Sequence, residues 1–110
     1  MITRLQRIPR QDFSQFSHSR IQVRGTYHTV VYSISPTNRG AVVVSKKVAK
    51  KAVDRNRLRR RAYATLAAFW AAETVPGAYI VYYKSGVLSA SRAVLRTELL
   101  DLLARIPKSR

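Results

Sequence analysis

The chain contains no cysteine, which excludes disulfide staples, thiolate zinc sites and thiol nucleophiles and suits a reducing compartment. Acids are scarce: Asp12, Asp54, Glu73, Glu98 and Asp101 are the five in 110 residues, and they are scattered. A nuclease working through two metal ions needs clustered carboxylates, and this spacing offers none. His18 and His28 are too few to argue a metal site or an acid–base pair, and surface or half-buried imidazoles are expected. The four glycines form no phosphate loop. No apolar run approaches the roughly 20 residues of a membrane span, and the start lacks the apolar stretch of a secretory signal. These absences predict a cytoplasmic protein with no membrane partner, catalytic residue or metal ligand of its own. Residues 1–24 contain Arg and Ser with Asp12 as their one acid, a composition shared with transit peptides. Asp12, Phe13 and Phe16 read instead as a short packed helix.

What the chain has is positive charge, +16 in total. Half of it lies in Lys46–Arg61, where nine cations meet one acid in a segment that reads as helix. A helix that merely needed to be soluble would mix signs about one turn apart. This one repels itself, and the simplest compensating partner is a polyanion, whose released counterions supply binding free energy. Lys46, Lys47, Lys50 and Lys51 stand where a strand gives way to a helix, whose N-terminus adds its own positive end. Arg55, Arg57, Arg59, Arg60 and Arg61 follow, and their planar forks match phosphate oxygens bidentately. A solvated charged face is the plainer reading of a charge run, but the lack of acids and two arginines on the apolar stripe argue against it.

The hydrophobic pattern predicts one domain over 1–110. A short helix is expected over 11–17, with Phe13 and Phe16 on one face. Tyr27–Ile34 and Ala41–Ser45 read as strands joined through Pro36–Gly40, most simply as an antiparallel hairpin. The long helix runs from the basic segment to Trp70 and ends before Pro76-Gly77. Its core stripe is Val48, Ala52, Ala62, Leu66, Phe69 and Trp70, with Arg55 and Arg59 intruding, so the part from Ala62 onward should anchor it. Ala78–Tyr83 is a third strand. A last helix, capped by Ser89 or Ser91, carries Val94, Leu95, Leu99, Leu102 and Leu103 to about Arg105. There, Glu98 and Asp101 should pair with Arg105. The order predicts an α/β (α+β) two-layer sandwich, helices on a small sheet, with a crossover between strands. Tyr82 should face one side of the sheet and Tyr79 and Tyr83 the other. Most rings should be core, with Phe13 and Tyr32 the candidates for stacking on unpaired bases.

Arg55-Asn56-Arg57-Leu58-Arg59-Arg60, preceded by Val43-Val44-Ser45-Lys46-Lys47 and Ala52, resembles the signature of the bacterial ribonuclease P protein subunit. Asp12-Phe13, Val30-Val31-Tyr32 and Ala78-Tyr79-Ile80-Val81 resemble that family's first helix, central strand and last strand, in order. The resemblance implies a small mixed sheet with the long helix in a left-handed crossover, against the usual hand. It implies a monomeric accessory subunit of a ribonucleoprotein endoribonuclease, whose RNA cleaves precursor tRNA with magnesium that the RNA holds. The protein would bind that RNA through Arg55, Asn56, Arg57, Arg59 and Arg60, and the 5' leader of precursor tRNA through Phe13, Tyr32 and, in part, Lys46 and Lys47. A short amide at Asn56 can both donate and accept among cations that only donate. A ribosomal or general structured-RNA-binding protein is the alternative. The chain departs from the family pattern at Tyr63, where another cation is usual, at Ser17, where a second aromatic is usual, and near Ala49, where a glycine is often found.

Overall fold

The computed structural model describes residues 7–9, 21–72 and 76–106. The expected helix over 11–17, with Phe13 and Phe16, lies outside the described residues. Four strands, β1 (Ile21–Arg24), β2 (His28–Ile34), β3 (Arg39–Val43) and β4 (Gly77–Tyr83), form one sheet in the order β1-β2-β4-β3. Helix α1 (Ala52–Ala72) connects β3 to β4, and α2 (Arg92–Arg105) follows a single 3₁₀ turn at Val87–Ser89. β1 pairs with β2 and β2 with β4 antiparallel, whereas β3 and β4 run parallel, so α1 is the crossover between adjacent parallel strands. The mixed α/β architecture expected from the order of elements is the one observed.

The hairpin is not where the turn residues suggested. β2 and β3 do not pair, because β4 inserts between them, Val30 opposite Val81 on one side and Val42 opposite Val81 on the other. β4 is buried from Gly77 through Val81, and a strand so apolar is best placed with a partner on each edge. The loop from β2 to β3 therefore passes the start of β4, where Asn38 Oδ1 accepts the Gly77 N–H at 3.3 Å. Only glycine fits at this crossing, since a Cβ on Gly77 would collide with the Tyr32 ring. The true hairpin joins β1 to β2, and Ile21-Gln22-Val23-Arg24 announced it by strict alternation, half-buried and exposed in turn.

Both helices pack on one sheet face. Val30, Tyr32, Val42, Tyr79, Val81 and Tyr83 meet Leu58, Ala62, Leu66 and Trp70 of α1 and Leu95, Leu99, Leu102 and Leu103 of α2. The other face carries a smaller cluster of Ile8, Val31, Ala41, Ala78 and Ile80, with Tyr82 half-buried beside it. The predicted division of Tyr82 from Tyr79 and Tyr83 thus holds. α2 is capped by Ser91, whose Oγ accepts the Val94 N–H at 3.1 Å. Val94 itself is exposed rather than core.

His28 and Glu98 differ from expectation together. His28 is fully buried, and its Nδ1–H donates to Glu98 Oε1 at 2.8 Å. The same carboxylate accepts the N–H groups of Thr26 and Tyr27 at 2.9 and 2.8 Å, so it ties α2 to the β1–β2 turn. Gly25 leaves room for it, since a Cβ there would lie 2.6 Å from Glu98 Cδ. Asp101 alone pairs with Arg105, at 2.8 Å. Burial holds the His28 pKa below 6.5 despite Glu98. For Glu98 burial pushes upward, but the bonds from His28, Tyr27 and Thr26 prevail and the pKa falls below 4.5. Both folded pKa values are depressed, so both contributions to stability are complete above the ordinary values and are lost on acidification. The melting temperature is expected to fall as pH drops below about 6.5 and further as Glu98 protonates. Thermal melts from pH 7.5 to 4 check this, and a flat profile would contradict it.

Candidate nucleic-acid interface

The basic segment divides into two structures. The helix does not begin in the lysines: Val48 and Ala49 N–H groups both bond Ser45 O at 3.1 Å, closing a separate turn. Ala49 is buried and docks that turn into the core. The first helical bonds go from Asp54 and Arg55 N–H to Lys51 O, so α1 starts at Ala52. Lys46, Lys47, Lys50 and Lys51 are all exposed on this entry turn. Its construction also answers the missing glycine, because no described non-glycine residue has a positive φ.

Arg55 holds the turn in place. Its Nη1 donates to Ala49 O at 2.9 Å and to Lys50 O at 2.7 Å, and the side chain is half-buried. An arginine on the apolar stripe is tolerated because its charge-assisted donors find carbonyls. Arg59 is likewise half-buried and donates to Asn56 Oδ1 at 2.7 Å. Asn56 is exposed, and with its oxygen engaged by Arg59 it offers its NH₂ group outward. Arg57 approaches Asp54 at 3.6 Å but stays exposed, and Arg60 is exposed beside it. Arg61 is half-buried.

Leu58, in the middle of the motif, is 3% exposed, while Ala52 from the expected stripe is exposed. Tyr83 Oη donates to Leu58 O at 3.1 Å, and burial pushes that phenol up to about 12, against the opposing effect of Arg61. The anchor therefore begins four residues earlier than predicted, and the arginines project from a helix already fastened beneath them. Their placement opposes helix stability: five arginines crowd the first half of α1, near its positive end, and its last turn has no base.

An open groove of about 390 Å³ runs along edge strand β3, walled by Ala41–Val44 and Ile8 on one side and by Arg59 and Tyr63 of α1 on the other. Residues 7–8 extend the sheet here, with Ile8 N–H bonded to Gly40 O at 2.8 Å. Arg7 places its guanidinium 4.7 Å from the centre of the Tyr63 ring. The position where the motif lacks a cation thus receives one from a distant part of the chain, which local sequence reading could not reveal. Tyr32, read as a stacking ring, is 1% exposed and packs on Tyr79 at 5.2 Å. So buried, it presents no face to a base; Phe13 lies outside the described residues. Among the described residues no three of His, Asp or Glu gather where they could hold a metal ion.

A family model described as Ribonuclease P matches residues 3–107. The chain is 37% identical over 102 residues to the ribonuclease P protein component of Azoarcus sp. (strain BH72), covering 89% of this chain and 82% of that protein. Its fold matches the RNase P protein of Thermotoga maritima with a TM-score of 0.81 at 22% identity, over 93% of this chain and 98% of that one. The RNase P protein of Staphylococcus aureus matches with a TM-score of 0.80 at 20% identity, over 92% and 96%. With its arginine motif on the exposed start of the crossover helix and these matches spanning nearly its whole length, the chain belongs to the ribonuclease P protein family.

Proposed function

We propose that this chain is the accessory protein of a ribonuclease P holoenzyme, binding the catalytic RNA and the 5' leader of precursor tRNA while the RNA removes the leader. The observation that carries this reading is the Arg55–Arg60 motif, held outward on a helix fastened by Leu58 and set against the helix dipole. Such a surface gains from phosphates what it lacks in carboxylates. Asn56, Arg57 and Arg60 dock the RNA, Arg55 and Arg59 shape that face, and Lys46, Lys47, Lys50 and Lys51 extend it. The groove along β3, with Tyr63 beneath Arg7, offers an unpaired leader apolar wall, aromatic ring and cation together.

In this reading magnesium belongs with the RNA, and the protein's part is to bind, neutralise charge and orient. It acts as a monomer in the cytoplasm. The test is precursor-tRNA cleavage at low magnesium by a bacterial ribonuclease P RNA, with and without this protein. Leader-dependent acceleration is expected. Tight binding with no acceleration would favour a general structured-RNA-binding protein instead.

A further inference from the structure

A second basic feature lies away from the motif. α1 and α2 meet along a crevice of about 50 Å³, lined by Arg61, Ala62 and Thr65 of α1, Tyr83 of β4, and Arg92, Leu95, Arg96 and Leu99 of α2. At roughly 10–15 Å³ per water it has room for a small anion. Three arginines, from helices about 30 positions apart in sequence, line it, and no carboxylate does. None of the three arginines has an ion-pair partner among the described residues. α2 does own acids, but Glu98 and Asp101 occupy a different face, beside Ala93, Val94 and Thr97, and are engaged by His28 and Arg105. The helix thus sorts its charge so that Arg92 and Arg96, one turn apart, confront Arg61 with nothing to offset the repulsion. The crevice floor is rigid, built from Leu95, Leu99 and Ala62, all at most 5% exposed.

We propose that this crevice is a phosphate-binding site, in which Arg61, Arg92 and Arg96 hold a backbone phosphate of the RNA that docks on α1. The inference rests on the reading above that this RNA is the ribonuclease P RNA. It makes the interface two-helical: the exposed arginines of α1 meet one stretch of backbone, and α2 grips a phosphate beyond it. Bidentate forks on a fixed floor are what such a contact needs.

The test compares two variants of equal net charge, Arg92→Ala/Arg96→Ala and Arg24→Ala/Arg105→Ala, in binding to ribonuclease P RNA across a salt series. The first is expected to weaken binding about tenfold or more and to shallow the salt dependence by about one unit of slope; the second should change affinity less than about threefold. Equal losses in the two would overturn the site, since charge alone would then explain both. All four side chains are exposed, so wild-type melting temperatures are expected. A second measurement uses the absence of native cysteine. Arg96→Cys carrying an iron chelate should cut the RNA backbone at one locus, and diffuse or absent cutting would count against the site. If the wild-type protein bound this RNA no better than an unrelated structured RNA, the subunit reading would fail, and the gap between the two variants on either RNA would still decide the crevice.

Discussion

Alanine at both Arg57 and Arg60 is expected to weaken binding to ribonuclease P RNA by about 10- to 100-fold, roughly 1.4–2.8 kcal/mol, while the melting temperature stays within about 2 °C of wild type. Both side chains are exposed, and among the described residues the one intramolecular contact at stake is the 3.6 Å approach of Arg57 to Asp54, a surface pair of little consequence for stability. Lost phosphate contacts should also flatten the salt dependence, by about one unit of slope for each arginine. Arg55→Ala is the informative contrast. Its loss frees the Ala49 and Lys50 carbonyls and loosens the turn that carries four lysines, so it should lower both affinity and melting temperature. RNA binding across a salt series, paired with thermal melts, separates the two. Unfolding of the Arg57/Arg60 variant would make those arginines structural and remove the basis for reading them as RNA contacts.

Leu66→Ala is expected to do the reverse, costing about 2–5 kcal/mol of stability. Leu66 is fully buried and lies against Gly40 of β3, where a Cβ would stand 3.1 Å from Leu66 Cδ1. Gly40 has no side chain to move into the space, so the cavity should persist and the cost should fall toward the upper part of that range. For a chain of this size that means a drop of about 10 °C or more in melting temperature. Phe69→Ala should cost less, because Phe69 is only half-buried and meets Tyr79 edge-on at 5.8 Å. Affinity for RNA per folded molecule should be unchanged in both. A normal melting temperature for Leu66→Ala would show that α1 is not held through this face.

Some elements were plain in the chain and others were not, for reasons that can be named. α2 was legible because Leu95, Leu99, Leu102 and Leu103 follow one helical stripe, and Ser91 caps it locally. β4 was legible as a continuous apolar run, but its position in the sheet was not. Pairing of β2 with β4 joins residues nearly 50 positions apart, and the turn at Pro36–Gly40 looked like a hairpin because turn chemistry reports a change of direction, not the neighbour reached. β1 is hard to read despite its alternation, since four residues give a weak signal beside the charge around them. α1 starts later than the lysines suggest, because lysines suit a helix well and nothing local shows that Ala49 is pulled into the core.

The amino-acid sequence alone points to a polyanionic partner, because net charge and its concentration in one segment are properties of composition. It also determined which family motif the chain carries, since Arg55–Arg60 is contiguous. How those residues divide their labour is set by packing. Arg55 turned out to bind carbonyls, Tyr32 to lie in the core, Arg7 to stand over Tyr63, and Glu98 to tie a helix to a hairpin through His28. Each of these joins groups that meet through packing or a turn, whereas charge and periodicity are sums along the chain and carry no record of which groups meet.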